Sequence, residues 1–241
     1  MICGIFVNGK TLMQTDKPRR EIKSFVRREG RLTPGQQKAL DTLWPLWGID
    51  EADTALDLKK LFGRDNAKVL EIGFGNGASL AEMAANQPDM DFIGVEVHRP
   101  GVGQLLKAID ERQLTNVRVA CTDAVALLKN RIVDDALHRV QLYFPDPWHK
   151  KRHHKRRIIQ PAFVSVLASK IAAGGFLHMA TDWQDYAEQM VQDLSASQDF
   201  INLGTREGFI ARPDYRPLTK FEQRGHRLGH GVWDLLFERR K

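Results

Sequence analysis

Apolar positions recur along the chain with two periods. Six runs have the length and composition of strands: Val69 to Phe74, Phe92 to Val97, Val117 to Cys121, Val140 to Phe144, Phe176 to Ala180 and Val232 to Glu238. The first five are separated by helical spacing, such as Leu80, Met83 and Ala84 in one stretch and Tyr186, Met190, Val191 and Leu194 in another. Strands alternating with helices predict a doubly wound α/β domain: a mostly parallel sheet, right-handed crossovers, and helices on both faces. Residues 200–230 break the rhythm. They hold Gly204, Gly208, Gly225 and Gly229 with few helical periods, which predicts a C-terminal antiparallel strand after an irregular stretch.

Upstream, Leu40, Leu43, Trp44 and Trp47 form the i, i+3, i+4, i+7 stripe of a short amphipathic helix. Its apolar face is expected to pack on the main domain, and Pro45 to end or kink it. Residues 1–35 carry Lys17, Arg19, Arg20, Lys23, Arg27, Arg28 and Arg31 with little periodicity, the pattern of a flexible basic arm or, equally, of a solvated tail. The expected division is therefore residues 1–58 as arm and helix and residues 59–241 as one folded domain.

Composition narrows the class. The 241 residues suffice for one buried core, and 42% hydrophobic content fits a globular chain. No run approaches the roughly 20 apolar residues of a membrane span, and Met1 to Val7 lacks a basic leader, so a cytoplasmic protein is expected. Cys3 and Cys121 lie too far apart in sequence to suggest a disulfide framework or a zinc ribbon. The net charge of +6 is modest but unevenly spread, which bears on partners more than the average does.

The chemistry gathers at strand ends. The first strand runs into Glu71-Ile-Gly-Phe-Gly-Asn-Gly77 and then a helix, a turn that reads as a cofactor loop or simply as a tight connection. The spacing departs from the G-x-G-x-x-G of dinucleotide enzymes and from the Gly-Lys-Ser/Thr of phosphate loops. In an open parallel sheet ligands sit beyond the carboxyl ends of the strands. There the next strands leave Glu96, Asp123 and, in Phe144-Pro-Asp-Pro-Trp148, Asp146, so that four successive strands end in a carboxylate. Any one of them is explained by helix capping; four in register favour a ligand. Glu96 lies about 20 residues past the last glycine, where a carboxylate takes ribose hydroxyls. A site lined by acids repels phosphate and suits an adenosyl cofactor with an amino group and a positive sulfur, which describes S-adenosylmethionine.

The fourth strand continues into His149-Lys-Lys-Arg-His-His-Lys-Arg-Arg157, six of whose nine residues are Lys or Arg. Such runs are usually solvated faces, but this one abuts the acidic strand end, which favours nucleic-acid phosphate. His149, His153 and His154 suggest no metal, because fixed cations surround them and no carboxylate or thiolate is interleaved. Asp182 ends the fifth strand. Thr219 to Glu222 packs donors, an aromatic and a carboxylate into four residues, equally a grip on a base or a turn before the last strand.

Taken together, these residues resemble the bacterial tRNA (guanine-N7-)-methyltransferases over Lys68 to Lys241. The motifs that carry the resemblance are Leu70-Glu-Ile-Gly-Phe-Gly-Asn-Gly77, Gly94-Val-Glu-Val-His98, Phe144-Pro-Asp-Pro-Trp-His-Lys-Lys-Arg-His153, His178-Met-Ala-Thr-Asp-Trp183 and Thr219-Lys-Phe-Glu-Gln-Arg-Gly-His-Arg-Leu-Gly-His-Gly-Val-Trp-Asp234. The resemblance implies a Rossmann-like class I methyltransferase fold, S-adenosylmethionine as donor, and guanosine 46 in the tRNA variable loop as acceptor. It implies cofactor contacts at Glu71, Gly73, Gly75, Glu96, Asp123 and Asp146, with Asp146 the active-site carboxylate. It implies substrate contacts at Lys150, Asp182, Thr219, Lys220, Phe221 and Glu222, and RNA contacts at Arg152, His153, His154, Lys155, Arg156 and Arg157. A monomer or homodimer is expected, with no obligatory protein partner.

Guanine N7 has a lone pair and no proton, so the expected catalysis is mostly positioning. Asp146, with Asp182 or Glu222, is expected to accept from the guanine N1–H and N2–H edge as the ring becomes positive. Competing readings lack their marks. Amine methyltransferases place Asp or Asn before two prolines, and here the order is Pro145-Asp-Pro147. Cytosine C5 chemistry needs a cysteine nucleophile, for which Cys121 has no adjoining proline. Tyr143, Tyr186 and Tyr215 lack the lysine four residues on that one common dehydrogenase pair requires. A non-catalytic RNA-binding protein would bind tRNA yet transfer no methyl group.

Overall fold

A computed structural model describes residues 24–25, 30–219, 222–223 and 231–241, so most of the basic arm, together with Lys220 and Phe221, lies outside the described residues. Eight strands form one sheet: β1 (Gly48–Ile49), β2 (Ala67–Ile72), β3 (Met90–Val95), β4 (Val117–Ala120), β5 (Leu137–Tyr143), β6 (Ile171–Thr181), β7 (Phe200–Asn202) and β8 (Trp233–Arg239). Their order is β1-β4-β3-β2-β5-β6-β8-β7. All neighbours are parallel except β8, which runs antiparallel to both β6 and β7. The six expected strands are present. β1 and β7, two and three residues long, were not expected, and β7 makes the C-terminal antiparallel unit two-stranded.

The chain leaves β2 outward through β3 and β4, then returns to place β5 on the other side of β2. The order therefore reverses between β2 and β5, which opens a crevice at their carboxyl ends.

Helices cover both faces. Leu70, Ile72, Ile93, Val95, Val140, Leu142, Leu177, Met179, Leu235 and Phe237 form the apolar face beneath α2 (Leu58–Phe62), α5 (Ala124–Arg131), α6 (Pro161–Lys170) and α7 (Gln184–Ser195). Val69, Phe92, Val117 and Val119 face α1 (Pro34–Trp47), α3 (Ala78–Asn86) and α4 (Arg99–Glu111). Thr33 opens α1 with a capping box closed by Gln36, and the helix runs through Pro45 to end two residues later at Trp47. It packs against α4, where a Cβ on Gly103 would come within 2.9 Å of the Gln36 carbonyl oxygen.

The second face changes character halfway across. Alternation places Glu71 of β2, Arg139, Gln141 and Tyr143 of β5, His178 of β6 and Asp234 of β8 on it. Glu71, Arg139, Gln141, His178 and Asp234 are all buried. The cover here comes from the irregular chain around Tyr215 and Arg216, joined to the sheet by polar contacts.

Candidate active site

The glycine loop follows β2, with Gly73, Gly75 and Gly77 at φ of 72°, 61° and 74°, a region costly for any residue with a Cβ. A Cβ on Gly73 or Gly75 would meet nothing within 4 Å, so both turn bare backbone toward open space. Glu96, just past β3, clamps this loop. Its Oε2 accepts from the Gly75 amide at 3.0 Å, and its Oε1 from the amides of Val97 and His98 at 2.7 and 3.0 Å. Asp123, past β4, caps α5 through the Val125 and Ala126 amides at 2.8 and 3.4 Å. Capping and ligand lining coincide in this residue, since Glu96, Asp123 and Asp146 all border a cavity of about 230 Å³ with Gly73, Tyr143 and Phe144.

Glu71 borders a neighbouring cavity of about 620 Å³, which shares Gly73, Tyr143 and Phe144 with the first and extends to Arg216 and Thr219. Burial raises its carboxyl to about 8, against the pull of Arg139 and with a push from Glu96. Its Oε2 is buried without a hydrogen-bond partner. Glu71 on one side, bare glycines between, and Glu96 and Asp123 on the other make a lining that could hold an adenosyl cofactor, the carboxylates taking its hydroxyl and amino hydrogens.

Asp146 sits on a strained turn. Phe144 and Trp148 adopt φ of 51° and 47°, conformations that bulky side chains rarely take and that cost about 1–3 kcal/mol each. Phe144 is held by its amide donating to the Ala180 carbonyl at 2.7 Å, and the Trp148 indole donates to the Ser24 carbonyl at 3.2 Å. The turn leaves Asp146 exposed, on a third cavity of about 690 Å³ shared with Glu96, His149, Lys150 and His153. Asp182 is half-buried beyond the end of β6 and borders none of these three cavities; its neighbour Trp183 meets the His149 ring at 4.2 Å between centroids.

The cationic run forms a 3-10 helix, Lys151–Arg156. Lys150, Lys151, Arg152 and Lys155 are exposed, His153 and His154 half-buried, and Arg156 lies over the Trp148 ring at 4.3 Å. Arg157, expected to contact RNA, is placed otherwise. It is buried and donates to the Pro147 carbonyl at 2.8 Å, to Gln189 Oε1 at 2.6 Å and to Asp185 Oδ2 at 2.5 Å. Its guanidinium ties the Asp146 turn to α7.

Thr219 to Glu222 is also split. Thr219 faces the cavity and its Oγ1 accepts from the Glu222 amide at 3.1 Å, whereas the Glu222 carboxylate is buried in a bidentate pair with Arg216 at 2.7 and 2.8 Å. Both oxygens of Glu222, expected to meet the guanine edge, are thus engaged by Arg216. Arg216 also grips Asp234 with two bonds of 2.7 Å, and Asp234 Oδ1 is 2.9 Å from His178 Nε2. Burial pushes the Asp234 carboxyl up, but His178 and Arg216 outweigh it and hold it below the usual range. Burial lowers His178; its Nε2 faces the Asp234 carboxylate, and its Nδ1 lies 2.8 and 3.0 Å from the Tyr143 and Tyr215 hydroxyls, with one lone pair to accept from one of them at a time. Sequence reasoning missed this network. Its one signal was the polar alternation Arg139, Gln141, Tyr143 in a central strand.

Residues 65–235 match a family model described as a putative methyltransferase. A protein of Alcanivorax borkumensis named tRNA (guanine-N(7)-)-methyltransferase is 57% identical over 98% of each chain. Proteins of the same name from Aeromonas hydrophila and Klebsiella pneumoniae are 60% and 54% identical, over 91% and 95% of this chain and 93% and 95% of theirs. Among solved structures, the 16S rRNA methyltransferase KamB aligns with a TM-score of 0.53 at 15% identity, over 78% of this chain and 95% of that one. The aminoglycoside resistance methyltransferase NpmB1 aligns at 0.51 and 14%, over 76% and 92%. At such identities these likenesses speak for the fold alone, a class I methyltransferase sheet. The relatives speak for more: this chain belongs to the tRNA (guanine-N7-)-methyltransferase family.

Proposed function

We propose that the protein transfers the methyl group of S-adenosylmethionine to N7 of guanosine 46 in the variable loop of tRNA. The observation that carries the reading is the meeting of two cavities at Gly73, Tyr143 and Phe144, beside exposed Asp146, in a chain 57% identical to a named enzyme of this kind. Glu71, Gly73, Gly75, Glu96, Asp123 and Asp146 hold the cofactor. Bound S-adenosylmethionine supplies an electrophilic methyl group on a sulfonium sulfur.

The acceptor N7 has no proton to lose, so the protein's work is orientation and charge. Asp146 accepts from the guanine edge, which becomes a better donor as N7 gains its bond, and this contact strengthens toward the transition state. Asp182, Thr219 and Lys150 border the nucleoside, and the exposed cations Arg152 and Lys155 meet phosphate. Among the described residues no helix is long and apolar enough to cross a membrane; the enzyme acts in the cytoplasm, as a monomer or homodimer.

The test is incubation of unmodified tRNA with methyl-labelled S-adenosylmethionine, followed by nucleoside analysis. Label in 7-methylguanosine at position 46 is expected. Label in another base, or none, overturns the reading.

A further inference from the structure

Beyond Phe209, which packs on the apolar core, the loop that brings Thr219 to the cavity is held by polar groups. Between β7 and β8 the described chain makes one isolated bridge, Ile210 to Asp234, and β8 itself begins at Trp233. Its deepest side chain is Arg216, 1% exposed, which lies on the polar half of the sheet's second face. Three of its nitrogens make four bonds to two carboxylates, Asp234 from the sheet and Glu222 from the loop. Asp234 is fixed in turn by His178, whose other nitrogen meets Tyr143 and Tyr215. Tyr143 and Arg216 both line the cavity that Thr219 closes. The chain of contacts therefore runs from the strand that ends in the Asp146 turn, across β6 and β8, to the loop.

Resting on the proposed methyl transfer, we infer that Arg216 is a positioning residue for that reaction and that Glu222 acts through it rather than on the guanine. A buried carboxylate–guanidinium–carboxylate triad loses much of its attraction to desolvation, and apolar replacements of such triads often hold a fold equally well. What the triad supplies is geometry. A planar fork bound at both ends fixes the Thr219 turn relative to the sheet, and a displacement of about 1 Å near a reacting centre lowers rates about a hundredfold. Lysine cannot reproduce that fork.

A double-mutant cycle separates this role from direct contact. The turnover of Arg216→Ala, Glu222→Ala and the double variant is measured at saturating tRNA and S-adenosylmethionine, with thermal melting and S-adenosylhomocysteine affinity as checks on the fold. Each single variant is expected to lose about a hundredfold in kcat with S-adenosylhomocysteine affinity within about threefold of wild type. The double variant is expected to be no slower than the slower single. Millimolar guanidinium is expected to restore at least about tenfold of kcat to Arg216→Ala, because the vacated space borders the cavity, and to leave Glu222→Ala unchanged. Arg216→Lys and Glu222→Gln carry the same cycle if the alanine variants do not fold. Effects that multiply in the double variant would place Glu222 on the substrate and overturn the proposal while wild-type activity stands. A wild type that methylates no guanosine overturns this proposal together with the function on which it rests.

Discussion

Glu71 shows how a single buried residue in the proposed cofactor site carries an unfavourable state. The residue is 3% exposed and its Oε2 lacks a hydrogen-bond partner, so keeping a proton is the cheapest answer to burial. The folded-state value of about 8 lies above the ordinary 4.5. Below the lower value both the native and the unfolded chain hold the proton. Between the two, only the native chain does, so stability falls as pH rises and levels off above about 8. The decline is on the order of a few kcal/mol. Chemical denaturation of the cofactor-free protein from pH 5.5 to 8.5 is expected to show it, and Glu71→Gln to remove it and gain stability at the upper end. Parallel profiles for the two proteins would mean that Glu71 is ionised in the cavity. The sequence marked Glu71 by its place before the glycines, but its raised carboxyl comes first from burial in the folded sheet, opposed by Arg139 and reinforced by Glu96, distant residues that only the fold brings near.

Among elements, those legible in the sequence were the ones with a period. The six longer strands announce themselves as apolar runs because helices or chain cover the sheet on both faces, over its parallel strands and over antiparallel β8 alike. β1 and β7 are too short for any period to show, and each exists only because a neighbouring strand offers an edge. The cationic run was legible as charge, yet its division into exposed and buried members was not, since nothing local distinguishes Arg156 from Arg157. The fold does: α7 brings Gln189 and Asp185 under Arg157 and leaves its neighbours outside. Arg157→Ala removes a buried guanidinium and with it the donor to the half-buried Pro147 carbonyl, and is expected to cost about 1–3 kcal/mol. That corresponds to several degrees in melting temperature. Because the buried guanidinium meets protein groups rather than phosphate, the salt dependence of tRNA binding is expected to keep its slope. A lower slope with an unchanged melting temperature would show Arg157 reaching RNA after all. Lys151→Ala, altering an exposed neighbour, serves as the stability control.

At the scale of the molecule, 36 basic against 30 acidic residues leave too small a surplus to hold RNA without a local concentration of charge. Lys150, Lys151, Arg152 and Lys155 supply it on one short helix and its entry, with Lys150 bordering the third cavity beside the exposed Asp146. The same end of the sheet carries Glu71, Glu96 and Asp123, the acids proposed to hold the cofactor. Opposite charges therefore divide one surface, the acids lining the depth and the cations its rim. This division lets phosphates approach the rim while excluding them from the cavity floor. Removing the cation that neutralises one phosphate lowers the slope of log affinity against log salt by about 0.7 to 0.9. The variant Lys150→Ala/Arg152→Ala/Lys155→Ala is thus expected to bind with a slope lower by about 2 to 3 units, measured by tRNA binding across a salt series. Lys59→Ala/Lys60→Ala, on α2 before β2 and so at the opposite end of the sheet, is expected to leave the slope unchanged. Equal slopes for wild type and the triple variant would return the run to a solvated face and leave the RNA to be held elsewhere on the molecule.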